Sequence, residues 1–202
     1  MPKLIIFDLG GVITSGEVEQ IDRQVAAYLG VESSTLRAAT ARYKRAVTTG
    51  AIGLKELYSA AISELHLPAS PAAAVACHLE VYRGILGDLD RETLGLVANL
   101  RRKYHVVALA NAEREVIPVG RELGLYDPFE AAYISCEMGM QKPDADIYRA
   151  VLADYGCKPG DAVFIDDKLE NVQGAERLGI HAIHYRPPAR LADELTALGV
   201  EL

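Results

Sequence analysis

Lys3-Leu4-Ile5-Ile6-Phe7-Asp8, followed by Leu9-Gly10-Gly11, is the stretch on which the fold turns. An unbroken apolar run that ends on an acid and then meets two glycines reads as a fully buried strand running into a turn. Two later stretches repeat the pattern: His105-Val-Val-Ala-Leu-Ala110 and Ala162-Val-Phe-Ile-Asp166. Shorter candidates are Ala132-Tyr-Ile-Ser135 and His181-Ala-Ile-His184. Strands rich in Val and Ile that alternate with helical patterns predict βαβ units and a parallel sheet.

Between the first strand and about residue 86 the texture changes. Four helix-length segments, near 17–29, 33–47, 54–66 and 71–85, follow one another without a strand candidate. Breaks fall at Gly30, at Gly50 to Gly53 and at Pro68 to Pro71, and Ser33 or Ser34 is placed to cap the second segment. The reading is therefore an α/β core formed by 1–15 and 87–202, carrying a helical insertion over 16–86.

Half of the 202 residues are apolar and 24% are charged, the profile of a globular protein. The net charge is −7, with no basic stripe to track a nucleic-acid backbone. No stretch approaches the ~20 apolar residues of a membrane span, and the N-terminal run is too short for a secretion signal. Cys77, Cys136 and Cys157 are scattered without metal-ligand spacing, which fits a reducing cytoplasm. Nothing in these features sets the oligomeric state.

Open parallel sheets gather their ligands at the carboxyl ends of the strands. Asp8, Ala110-Asn111 and Asp166-Asp167 all fall at such ends, and Lys142 lies in the loop before a helix starting near Asp144. Taken singly, each acid has a plain reading as a turn or cap residue. Gathered together, three carboxylates repel one another and hold protons. A hard divalent cation removes the conflict, and Mg²⁺ suits it because it takes oxygen ligands and keeps waters that a phosphate can replace. Lys142 adds a compact positive charge, and the backbone amides flanked by Gly10 and Gly11 could cradle phosphate oxygens. An ionised aspartate beside Mg²⁺ can attack phosphorus and form an aspartyl phosphate.

The order of these pieces resembles the haloacid dehalogenase-like hydrolases. Phe7-Asp8-Leu9-Gly10-Gly11-Val12 is similar to the first motif of that superfamily, Leu109-Ala110-Asn111 to the second, and Lys142-Pro143-Asp144 to the third. Phe164-Ile165-Asp166-Asp167, with Asn171-Val172-Gln173-Gly174-Ala175, resembles the fourth. Ser135 to Asp144 is similar to the sugar phosphatases and to the N-terminal phosphatase of soluble epoxide hydrolase. The resemblance implies a Rossmann-like, doubly wound, mainly parallel sheet with an α-helical C1-type cap. It further implies a cytoplasmic Mg²⁺-dependent phosphatase acting on a small phosphorylated metabolite, such as a sugar phosphate. Asp8 would be nucleophile and metal ligand, Gly10 would offer its carbonyl to the metal, and Asp167 would bind it directly with Asp166 acting through water. Lys142 would stabilise the transferring phosphoryl group, and Asn111 and Gly11 would contact phosphate.

Two positions depart from the pattern. Most phosphatases of the superfamily carry a second Asp, the general acid/base, where this chain has Gly10, and a Ser or Thr where it has Ala110. Glu17 is a candidate replacement for the missing acid. In the helical block, the turn Thr48-Thr49-Gly50-Ala51-Ile52-Gly53 stands where such caps dip toward the site, so Arg45, Thr48 or Thr49 could reach the substrate beyond its phosphate. The histidines do not cluster with metal-ligand spacing. Tyr28, Tyr43 and Tyr58 read as packing, and Cys136 lacks a partner that would mark it as a nucleophile. Two alternatives stay open: 2-haloacid dehalogenase chemistry, which needs no acid at Gly10, and a weakly active or non-catalytic protein that keeps the phosphate site.

Overall fold

The apolar runs form five parallel strands, and the continuity of those runs follows from what covers the sheet. In a computed structural model describing residues 2–14, 18–186 and 190–202, the strands are β1 (Leu4–Phe7), β2 (His105–Ala110), β3 (Ala132–Ile134), β4 (Ala162–Asp166) and β5 (His181–His184). They lie in the order β3-β2-β1-β4-β5. Alternate side chains of β1 enter two separate cores. Ile5 and Phe7 join Val106, Ala108, Val163 and Ile165 on one face, while Leu4 and Ile6 join Val107, Leu109 and Phe164 on the other. A strand covered on both faces has no position that favours a polar residue, so it reads as a solid apolar run. Burying each Leu, Ile or Phe contributes about 1.5–3 kcal/mol.

Helices cover both faces. The insertion holds α1 (Val18–Leu29), α2 (Ser33–Thr40), α3 (Lys44–Thr48), α4 (Leu54–Glu64) and α5 (Pro71–Leu86), and the core adds α6 (Arg91–Leu100), α7 (Ile117–Glu122), α8 (Ser135–Met138), α9 (Ala145–Asp154), α10 (Leu169–Glu176) and α11 (Leu191–Ala197). Val97 and Leu100 of α6 pack on the first face with Ile117 of α7 and Leu195 of α11. Ile147, Tyr148, Val151 and Leu152 of α9 form the stripe that packs on the second. Asp90 caps α6 by accepting bonds from Glu92 N at 2.9 Å and Thr93 N at 3.3 Å.

The insertion has its own apolar core, drawn from Ile21, Val25 and Leu29 of α1, Leu36 of α2, Tyr58 and Ile62 of α4, and Ala74 and Ile85 of α5. Its two connections run side by side: Asp90 N donates to Ile13 O at 2.8 Å, and Thr14 bridges Leu89. The segment expected as one helix over 33–47 is broken. A 3₁₀ turn at Ala41–Tyr43 separates α2 from α3. The expected cap is also corrected: α2 starts at Ser33 behind Glu32 with no side-chain cap, and Ser33 Oγ is buried without a hydrogen-bond partner.

The turn after α3 presses the insertion onto the core. Gly50 has φ +74°, and a Cβ there would lie 2.5 Å from the Cys136 carbonyl oxygen, so glycine is required for both reasons. Ser135 Oγ donates to Thr48 O at 2.6 Å, and Leu54 N donates to Glu115 Oε1 at 2.9 Å. Arg114 donates to Gly50 O, and Thr48 Oγ1 to Gln141 Oε1. No helix among the described residues is long and apolar enough to cross a membrane.

Candidate active site

Parallel register brings the acids together. Phe7 pairs with Ile165 on one side and Ala108 on the other, so Asp8 emerges beside Asp166 and next to the end of β2. Strand order reverses at β1, the position at which open α/β sheets form a crevice. Lys142 closes the cluster. Its Nζ donates at 2.7 Å to Asp8 Oδ1, to Asp166 Oδ2 and to Leu109 O, which accounts for all three ammonium protons. The residue is only 2% exposed.

Burial governs the charges here. Desolvation pushes the Asp8 pKa up to about 6, against the pull of Lys142 and with the help of Asp166. For Lys142, burial alone would strip the proton, but Asp8 and Asp166 hold it and leave the pKa above the ordinary lysine value. Burial likewise raises the Asp167 carboxyl. Burial thus opposes ionisation of both Asp8 and Asp167.

The two acids of the pair do different work. Asp166 is fully buried and accepts from Lys142, from Lys168 N at 2.8 Å, and from Asn171 Nδ2 at 3.0 Å on each oxygen. Asp167 Oδ1 is buried with no hydrogen-bond partner among the described residues. Such an orphaned carboxylate oxygen is expensive unless something positive meets it. One oxygen from each of Asp8, Asp166 and Asp167 lies within 4.8 Å of the others. This all-oxygen donor set fits a hard divalent cation, with Asp8 and Asp167 the ligands left free to bind it directly.

Gly11 makes room for that ligand. It has φ +75°, and a Cβ would lie 2.6 Å from Asp167 Oδ2. Gly11→Ala should therefore displace the Asp167 carboxylate and weaken Mg²⁺ binding by roughly 10–100-fold. Calorimetric titration of the metal checks this, and unchanged affinity would show that Asp167 is not a ligand.

Other expected site residues fall differently. Asn111 is used at both ends of its amide by the Lys142 backbone, with Lys142 N donating to Oδ1 and Nδ2 donating to Lys142 O, both at 2.9 Å. It therefore positions the backbone of the loop that carries Lys142. Arg45 forms an ion pair with Asp144 at 2.6 Å, joining the insertion to the core, and Thr49 Oγ1 donates back to Arg45 O at 2.8 Å. Ala110 is buried at the end of β2. A Cβ at Gly10 would meet no atom within 4 Å, so the position of the missing acid is open. Glu17 lies outside the described residues.

Sequence reasoning overlooked Asn171 as the clamp on Asp166, and Ser135, which is fully buried and accepts from Ala112 N at 3.0 Å while donating into the insertion. The signal for Asn171 was present, since it sits five residues after Asp166, in the first turn of the helix that follows the strand.

Fold and site together mark a Rossmann-like α/β protein that collects a carboxylate, a lysine and a cation-ready acidic pair at one sheet edge. The model of the haloacid dehalogenase-like hydrolase family matches residues 2–179, and the chain belongs to that family of hydrolases. Among curated proteins, it is 29% identical to the sesquiterpene phosphatase astK of Aspergillus oryzae, over 97% of this chain and 96% of that one. It is 26% identical to the D-ribitol-5-phosphate phosphatase of Bacteroides thetaiotaomicron, over 98% of each. Among solved structures, a HAD family enzyme of Bacteroides thetaiotaomicron superposes with a TM-score of 0.78 at 24% identity, covering 96% of this chain and 98% of that one. That enzyme has also been crystallised with magnesium and inorganic phosphate.

Proposed function

We propose that this hydrolase is a Mg²⁺-dependent phosphatase for a small phosphorylated metabolite, working through an aspartyl phosphate on Asp8. The observation that carries the reading is Lys142 Nζ held 2.7 Å from Asp8 Oδ1, beside the orphaned oxygen of Asp167. The two full-length phosphatase relatives support it.

Asp8, Asp167 and the Gly10 carbonyl would hold Mg²⁺, with Asp166 steadying the shell from behind. When bound, the metal supplies positive charge that keeps Asp8 ionised and offsets the charge of the phosphate. An Asp8 carboxylate oxygen attacks phosphorus, the bond to the leaving oxygen breaks, and that oxygen takes a proton from solvent water. Water then attacks the acyl phosphate, releasing phosphate and restoring Asp8. Lys142 fixes the carboxylate and counters charge on the phosphoryl group. Asn111 holds the Lys142 backbone, and Asn171 holds Asp166. The insertion over residues 16–86 acts as a cap, its turn at Gly50 seated beside the loop that carries Lys142. With Gly10 supplying no acid, substrates with weakly basic leaving groups turn over best. The acidic net charge and three unpaired cysteines support a cytoplasmic enzyme that does not bind nucleic acid.

Wild-type protein with Mg²⁺ should hydrolyse p-nitrophenyl phosphate, acetyl phosphate and members of a sugar-phosphate panel, and Asp8→Asn should fall to the buffer background. Equal rates in both proteins would sink the phosphatase reading. Chloride release from 2-chloropropionate without Mg²⁺ would favour dehalogenase chemistry instead.

A further inference from the structure

The end of β5 carries two side chains that the phosphoryl chemistry leaves unused. β5 pairs with β4 so that His184 stands opposite Asp166. Tyr185 N donates to Asp166 O at 3.0 Å, and the next carbonyl oxygen, that of Asp167, lies 2.9 Å from His184 Nε2. Arg186 reaches back to the same ring, with Nη2 2.9 Å from Nδ1. A carbonyl oxygen only accepts and a guanidinium only donates, so a single tautomer serves both contacts. The ring carries its proton on Nε2, donates to Asp167 O and accepts from Arg186 at Nδ1. A further approach of the guanidinium, Nε at 3.5 Å from Nε2, is too long to compete with either bond.

The peptide between Asp167 and Lys168 is thereby gripped at both ends. Its N–H, that of Lys168, donates to Asp166 Oδ1 at 2.8 Å, and its carbonyl accepts from His184. The grip matters because the two acids are held differently. Asp166 is fixed through its carboxylate by Lys142 and Asn171, whereas Asp167 Oδ1 meets no partner among the described residues. The aim of the Asp167 carboxylate therefore depends on the backbone that carries it. Partners that orient a metal ligand from outside are worth roughly 10–100-fold in metal affinity.

We propose that His184, its tautomer set by Arg186, is a positioning residue that locks the Asp167–Lys168 peptide and so aims the Asp167 carboxylate at the cation. One series of hydrogen bonds then runs from the exposed Arg186 through His184, the peptide, Asp166 and Lys142 to Asp8. This deepens the proposed function and rests on its reading of Asp167 as a Mg²⁺ ligand, not on phosphate hydrolysis.

The test is calorimetric titration of Mg²⁺ alone, without substrate, into wild type, His184→Phe, His184→Gln and Arg186→Met, with melting in EDTA to show that each is folded. Phenylalanine keeps the ring and removes the donor, and glutamine restores a donor at the reach of Nε2. The Mg²⁺ dissociation constant should rise roughly tenfold in His184→Phe and return most of the way in His184→Gln. Arg186→Met should raise it by a smaller factor, and should add nothing in the His184→Phe background, because both act through one bond. Unchanged affinity in folded His184→Phe overturns the proposal, and so do equal losses in the phenylalanine and glutamine variants, which would assign the effect to ring packing. Should His184→Phe not fold, Arg186→Met at its exposed position decides the matter, and unchanged affinity there overturns the pair. A wild type that binds Mg²⁺ yet hydrolyses no phosphate would remove the phosphatase reading, while these affinities would still decide the role of His184.

Discussion

Gly10→Asp should raise the turnover of alkyl phosphates by about 10²–10⁴-fold, the usual contribution of a positioned general acid/base. The backbone is ready for the change. Gly10 is not among the glycines with positive φ, and a Cβ there meets nothing within 4 Å, so the backbone and the first side-chain atom accept the change. The gain should depend on the leaving group. A sugar or polyol oxygen leaves as a strong base and needs the proton most, whereas p-nitrophenolate and acetate leave readily without one. The ratio of kcat for an alkyl phosphate to kcat for p-nitrophenyl phosphate should therefore rise in the variant. The added carboxylate joins a site that already holds three acids. The variant should melt lower than wild type in EDTA and recover with Mg²⁺, because a cation that binds only the folded state stabilises it. A uniform rate change across leaving groups, or none, would mean that protonation is already supplied by another group. The absence of an acid at this position would then be no handicap.

The parts of this fold legible in the sequence are those set by local chemistry. Leu4 to Phe7, Val106 to Ala110 and Ala162 to Ile165 announce themselves because both faces of those strands are buried. Asp8, Asp166 and Asp167 could be grouped because parallel strands deliver their carboxyl ends to one edge. What could not be read depends on partners far along the chain. That Asn111 also holds the backbone of Lys142, 31 residues on, with both ends of its amide has no local signal. The ion pair of Arg45 with Asp144, 99 residues on, likewise has no local signal. The break at Ala41–Tyr43 has no proline or glycine to mark it. Ser135 carries no signal beyond its place after an apolar run, yet it is bonded to Thr48 across 87 residues. In each case the sequence supplies a group of the right chemistry, and tertiary contact decides which of several uses it has.

Lys142→Met should destabilise the fold by about 3–5 kcal/mol at pH 8 in EDTA, the range for removing one partner of a buried ionic cluster. Methionine fills much of the same space, so the loss reports charge more than cavity. Without the ammonium group, Asp8, Asp166 and the Leu109 carbonyl lose a shared donor at buried positions. The deficit should depend on pH with a definite sign. Asp8 has an ordinary value of 3.8 and stands near 6 in the wild type only because Lys142 restrains the effect of burial. Removing that restraint raises the folded value further. Between 3.8 and the folded value, the native state binds more protons than the unfolded chain, so stability falls as pH rises through that window. The variant should accordingly lie much closer to wild type at pH 5 than at pH 8. Urea midpoints of both proteins at the two pH values measure this directly. Superposed midpoints at pH 8 would show that Lys142 holds no strained charge, and a gap that fails to narrow at pH 5 would show that the loss is packing rather than electrostatics. Added Mg²⁺ should recover part of the stability at pH 8, since a divalent cation beside Asp8 and Asp167 supplies some of the positive charge that the lysine no longer provides. Recovery of the fold without recovery of turnover would separate the two tasks of Lys142, holding Asp8 ionised and countering charge on the transferring phosphoryl group.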